Sequence, residues 1–218
     1  MTTFDFGFGP VPAHQHPNGG GWVADTARVD ESAYVGPDAR VFGNAWVYDN
    51  AQVSNDAWVS GYVQVYDKAK VCGNAKVFNY AKVYDNAMVC DNAKVYGNAQ
   101  VYGNTWVYGD ARVCGDALVY DNALVSGYVQ VYDKAEVFGN AWVFDNARVY
   151  DYAKVYDNAK VCDSARVYDY AKVYDYAKVY DNAKVCDSAR VFGKTQVYDN
   201  AGIHTKIEFL DKIKSLGE

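Results

Sequence analysis

The chain has 218 residues, half of them apolar, a formal net charge of −6 and five cysteines. So mild an acidic balance speaks against a committed nucleic-acid or membrane partner, and no apolar run nears the ~20 residues of a membrane-spanning helix. The apolar set is narrow, dominated by Val, Ala and Tyr, which argues against an ordinary globule and for strands, because β-branched and aromatic side chains suit a pleated surface.

Residues 1–22, MTTFDFGFGPVPAHQHPNGGGW, hold three of the four prolines and an NGGG run; this composition predicts an N-terminal cap. The start lacks a basic region followed by an apolar one, so no secretory signal is expected. Cys72, Cys90, Cys114, Cys162 and Cys186 stand alone, without a CxxC pair. An odd, scattered set predicts free thiols and a cytoplasmic setting, or a virion-associated one if the gene is carried by a phage. Cys72 and Cys90 are 18 residues apart, close enough for a bridge by α-carbon distance, but their parallel in-register geometry favours two free thiols.

From Val23 to Val197 a valine stands at every sixth position, and Ile203 continues the series. Four residues after each valine is alanine, except at Val63, Thr105, Val129 and Thr195. In the word A-K-V-Y-D-N, Ala and Val are two apart and share a face of a strand, while Lys and Tyr point the other way. Asp or Gly followed by Asn is turn chemistry. Period six does not match the 3.6 of an α-helix. One hexad cannot bury its own apolar face, but stacked hexads can, so the word predicts a solenoid spanning residues 23–206.

Words such as VYGNAK, VFGNAW and VCGNAK resemble the hexapeptide pattern of left-handed parallel β-helices: aliphatic, three variable residues, small, variable. The repeat is similar to bacterial and prophage proteins built on YGNA and YDNA words. This resemblance implies an all-β fold, a single left-handed triangular coil of 18 residues, about ten times over. The rod would be roughly 48 Å long at ~4.8 Å per rung. Tyr or Phe after the aliphatic residue departs from many members of that family, which place Gly, Ala or an acid there. A rival two-sided coil of 12 residues also orders the aromatics, but a two-residue corner barely spans the ~10 Å between packed sheets.

Residues 207–218, IEFLDKIKSLGE, abandon the period, and Ile207, Leu210, Ile213 and Leu216 predict a short amphipathic capping helix. Caps at both ends are the expected remedy for open strand edges.

An 18-residue coil gives each outward residue a column. One column holds Tyr48, Tyr66, Tyr84, Tyr102, Tyr120, Phe138, Tyr156, Tyr174 and Phe192 without a gap. It reads as a stability device of stacked rings, with neighbouring Lys or Arg laid on them, rather than a platform for bases or sugars. A second column, Arg40 to Lys184, is mostly basic. On the third face Met88, Trp106, Leu124 and Trp142 follow one another, with Tyr108 and Phe144 beside them. Contiguous apolar surface marks an interface and Trp is a preferred anchor, so these six residues are the candidate interface, and a homo-oligomer is expected ahead of a different protein partner. Trimers are common in the hexapeptide family.

The corners form acidic rows, such as Asp133, Asp151, Asp169 and Asp187, near which Lys154, Lys160, Lys172 and Lys178 are placed to compensate. His14, His16 and His204 read as ordinary loop histidines, too few for a zinc site. No Ser or Cys has a His within its word, so nucleophilic catalysis lacks a base. No catalytic, cofactor-binding or metal residue is assigned. The sequence therefore points to a non-catalytic scaffold. Two alternatives remain: a hexapeptide-type acyltransferase with an intersubunit site using His14 or His16, and an acidic mimic of nucleic acid that inhibits a nucleic-acid-binding protein. Nucleic acid itself is not an expected partner for this charge balance.

Overall fold

The computed structural model describes residues 2–205 and 212–214. Among these there are strands and turns but no helix. The chain winds as a parallel β-solenoid of about ten coils with an 18-residue repeat: Val23 pairs with Val41, Val41 with Val59, and so on. This register removes the two-sided, 12-residue alternative. Three walls result. The first runs from Trp22–Ala24 to Gly202–Ile203, the second from Arg28–Val29 to Arg190–Val191, and the third from Tyr34–Val35 to Gln196–Tyr198.

Each wall strand is short, typically the residue before the valine and the valine itself. The valine points inward. From Val35 to Val197 every valine of the series is fully buried, and the alanine four residues on is buried with it. Val63 and Val129 fill the alanine station without exposure. Thr105 does so by donating its hydroxyl to the Tyr102 carbonyl, which satisfies a polar group that burial would otherwise penalise.

The corners explain why the period never slips. Every second residue after the valine, from Gly43 to Asp199, has a positive φ between 56° and 81°. Asp carries most of these and Gly most of the rest, so the left-handed residue is mostly the Asp or Gly of the word and not the residue that follows it. Asp accepts that conformation better than most residues because its carboxylate finds a local partner. Here the partner is one coil on: Asp67 Oδ2 accepts from the Asp85 N–H at 3.2 Å, and Asp85 Oδ2 from the Gly103 N–H at 3.1 Å. Backbone bonding also continues through the corner, as in Tyr48 N–H to Val65 carbonyl and Asn50 N–H to Asp67 carbonyl. Each coil is thus a complete template for the next.

The N-terminal edge is covered. Strand β1 (Thr3–Asp5) pairs antiparallel with β2 (Pro10–Gln15), and β2 pairs antiparallel with β3 (Trp22–Ala24), the first strand of the first wall. Phe6 is fully buried, and Phe4 stacks on Trp22 at 4.5 Å. Gly19 lies so close to the Val35 carbonyl that a Cβ would sit 2.3 Å from the oxygen, and its φ is +117°; glycine is required there. The Asp5 carboxylate accepts from the N–H groups of Gly7 and Gly9, which hold its pKa below the usual range.

The far end corrects an expectation. Lys212–Lys214 is a strand, pairing parallel with Gln196–Tyr198 in the register Ile213 with Val197, where apolar spacing predicted a helix over 207–218. The open edge of the third wall offers unpaired backbone groups, and a strand satisfies them where a helix cannot. Ile207, Leu210 and Leu216 lie outside the described residues.

Candidate functional site

On the third wall Met88, Trp106, Leu124 and Trp142 occupy four consecutive rungs, each in register with the next. They stand just before the inward valines, so the pleat turns them outward. Trp106 is 52% exposed and Trp142 45%, while Met88 and Leu124 are half-buried. Leu124 separates the two indoles, so neither stacks on the other. The patch ends where lysines resume: Lys70 precedes Met88, and Lys160 follows Trp142 with its ammonium 4.4 Å from the ring centre. Beside it, Tyr108, Leu124, Ser126, Trp142 and Phe144 line a shallow groove of about 250 Å3 with Asp145 at its rim.

The nine-ring column lies on the second wall, one station after the valines. Its centroids are 4.7–5.4 Å apart and its planes within 13° of parallel throughout. Burial by neighbouring rings pushes the phenols of Tyr66 and Tyr84 up to about 12. Tyr120 is raised further, by burial first and then by the charge of Glu136 and a 3.2 Å hydrogen bond to it. The described cation contacts fall elsewhere: Arg28 on Trp46, Arg40 and Lys76 on Trp58, Lys134 on Tyr152 and Lys160 on Trp142. The interior rings of the column are close enough to cover one another's faces, which leaves those rings no face for a cation.

Three segments of the coil, residues 93–109, 111–127 and 117–133, match a family model described as YdcK beta solenoid repeat. No curated protein matches the chain. The second and third segments differ by one hexad, so at sequence level the repeating unit is six residues although the coil needs 18. The matched segments contain Trp106, Tyr108 and Leu124. The chain is a β-solenoid repeat scaffold on these grounds together with its coil.

Several side chains depart from the sequence reading. Cys72 and Cys90 form a disulfide between adjacent coils, with α-carbons 4.6 Å apart; expected to be free, they are bridged because that spacing falls within the usual range for a bridge. Cys114, Cys162 and Cys186 are free. Burial pushes the Cys162 thiol up to about 12, with Asp163 adding to the shift. Close ion pairs with the corner carboxylates are not what Lys154 makes. Among the described residues Lys154 pairs with Glu136 at 2.7 Å, and the other ion pairs are His14 with Asp25 and His204 with Asp187. Corner carboxylates instead accept backbone N–H groups of the following coil.

His14 lies on strand β2 rather than in a loop, while His16 follows the end of that strand. His16 is buried, with Nε2 3.0 Å from the Ala33 carbonyl oxygen. His204, which no word pairs with a cysteine, comes within 3.2 Å of the Cys186 sulfur. Two further features escaped the sequence reading. Asn86, Asn104, Asn122, Asn140 and Asn158 form an amide ladder at 3.1–3.4 Å. Exposed corner tyrosines also stack, Tyr62 on Tyr80 and Tyr152 on Tyr170. The signal for both was recurrence at 18 rather than at six. No helix of the described residues is long and apolar enough to cross a membrane.

Proposed function

We propose that this solenoid is a rigid, non-catalytic scaffold that self-associates side by side through the third wall. The observation that carries the reading is the exposure of Trp106 and Trp142 on a wall whose flanking strands carry glutamine or lysine at the same station, at Gln52, Lys70, Lys160, Lys178 and Gln196. Indoles are large and rigid, and burying them removes apolar area worth ~25 cal/mol per Å2. The order Trp106, Leu124, Trp142 is symmetrical about its centre. A two-fold axis through Leu124 would set Trp106 of one copy against Trp142 of the other, the self-complementary arrangement a symmetric dimer needs. Lys70 and Lys160, which bound the patch, would form its wet rim. The acyltransferase alternative draws no support from His16, which is buried against the Ala33 carbonyl, and the nucleic-acid-mimic alternative none from the corner carboxylates, which are engaged by backbone N–H groups.

The test is Trp106→Glu combined with Trp142→Glu. Charge at both anchors should lower the mass measured by light scattering to that of one chain, while the β signal in circular dichroism persists. An unchanged mass with the fold retained would remove the proposal.

A further inference from the structure

We propose that Cys186, Asp187 and His204 form a binding site for a divalent cation of the zinc class, clipping the last two coils together. The Cys186 sulfur lies 3.2 Å from His204 Nδ1, that nitrogen lies 2.8 Å from Asp187 Oδ2, and sulfur and carboxylate are 3.8 Å apart. The three donor atoms all fall within 4.8 Å of one another. A tetrahedral zinc, with bonds of about 2.3 Å to sulfur and about 2.0–2.2 Å to nitrogen and oxygen, separates its donors by roughly 3.4–3.6 Å. The sulfur pairs are therefore within about 0.4 Å of that geometry, and the nitrogen–oxygen pair must open by about 0.6 Å. The side chains of His204 and Asp187 are 64% and 61% exposed, so both are free to adjust around a fixed, buried sulfur. Thiolate, imidazole and carboxylate together suit zinc better than calcium or magnesium, which prefer all-oxygen shells. Three protein ligands leave the fourth position to water.

The molecule contains its own control. The word VCDSAR occurs at 161–166 and again at 185–190. In the first copy Cys162 also lies against the carboxylate that follows it, Asp163, at 3.2 Å. The offset of 24 residues is not a whole number of coils, so the two copies face different walls. One coil on from Cys162 stands Tyr180; one coil on from Cys186 stands His204. The same Cys-Asp pair thus acquires a third ligand in only one of its two places. A cysteine nucleophile is the weaker reading of the cluster, because the Cys186 side chain is buried, whereas a reactive cysteine sits partly exposed. A cation displaces that thiol proton on binding. The site would join the pair Val185 and Ile203 at the end where the hexad period stops.

The experiment is a cobalt titration of the full chain with its disulfide intact, followed by competition with zinc. One equivalent of Co2+ should give a thiolate-to-cobalt charge-transfer band in the near ultraviolet and tetrahedral d–d bands in the visible, all removed by Zn2+. His204→Gln, at an exposed position, should weaken binding by more than about tenfold, and Cys186→Ser should abolish the charge-transfer band. Cys162→Ser should leave titration and spectrum unchanged. Absence of the band in the parent protein, undiminished affinity in the His204 variant, or loss of the band in the Cys162 variant would each overturn the assignment.

Discussion

The second and third walls share a backbone and a register, yet couple their coils differently at the same outward station after the valines. On the second wall that station holds nine consecutive rings, each stacked on the next. On the third wall it reads Cys72, Cys90, Tyr108, Ser126, Phe144 and Cys162 before Tyr180 and Tyr198, which stack as a pair. There the only covalent tie is the Cys72–Cys90 bridge, and Ser126 leaves Tyr108 and Phe144 two rungs apart. An interior ring of an unbroken column has both faces covered by its own chain; one gap leaves two faces open. The same holds for the tryptophans parted by Leu124. A repeat protein can therefore make an inert wall or an adhesive one by the order of residues along a column, with little change in composition.

The largest effect should come from cutting the covalent tie. Cys72→Ser with Cys90→Ser opens a loop closed at a sequence separation of 18, for which chain entropy gives a loss of about 3 kcal/mol. Denaturant midpoints with and without reductant should reproduce that loss in the parent chain and show no reductant effect in the double variant. If the parent is equally insensitive to reductant, the third wall is held by backbone bonding alone. A smaller and reciprocal pair of changes exchanges the character of the two walls. Tyr102→Ser interrupts the column and removes two stacked contacts, each worth about 0.5–1.5 kcal/mol, so stability should fall by about 1–3 kcal/mol. Ser126→Tyr closes the gap between Tyr108 and Phe144 and should raise stability by up to about 1 kcal/mol while weakening self-association. Equal responses to the two substitutions would mean that the rings do not act through stacking.

The hexad made the solenoid legible because each word repeats the same inward valine and alanine, so errors in reading one unit are corrected by its neighbours. The ring column was legible for the same reason: it is uniform at 18 residues. What stayed hidden were contacts between unlike residues one coil apart. Cys186 and His204 are 18 positions apart, and a search for a base within the six-residue word passes over the pair. The Asn86–Asn158 amide ladder hides behind turn chemistry, because the turn accounts for Asn locally without its cross-coil bonds. The Cys72–Cys90 bridge has the right spacing in the sequence, but spacing alone does not separate a bridge from two free thiols. Around Lys212–Lys214 the period is gone, and spacing by three and four suggests a helix; the deciding influence, the unpaired edge beside Gln196–Tyr198, is a property of the stack and not of the segment.

The smallest effect separates stacking from the phenol groups themselves. Burial within the column raises Tyr66 and Tyr84 to about 12 in the folded chain, against about 10 for an exposed tyrosine. The folded state therefore holds these protons more tightly than the unfolded state. Between those two values the unfolded chain has lost protons that the native chain retains, and stability falls as pH rises. The contribution is intact below about pH 10 and is lost progressively as pH climbs through about 12. Tyr66→Phe with Tyr84→Phe keeps the stacked faces but removes two of the groups that titrate. At neutral pH its urea midpoint should match the parent within about 0.5 kcal/mol, and between pH 10 and 12 its midpoint should fall less steeply. Parallel alkaline profiles would show that other tyrosines govern the loss. A large deficit at neutral pH would show that the hydroxyl groups stabilise the second wall, by contacts such as Tyr84 to Gln100, and that the contrast between the walls does not rest on ring stacking alone.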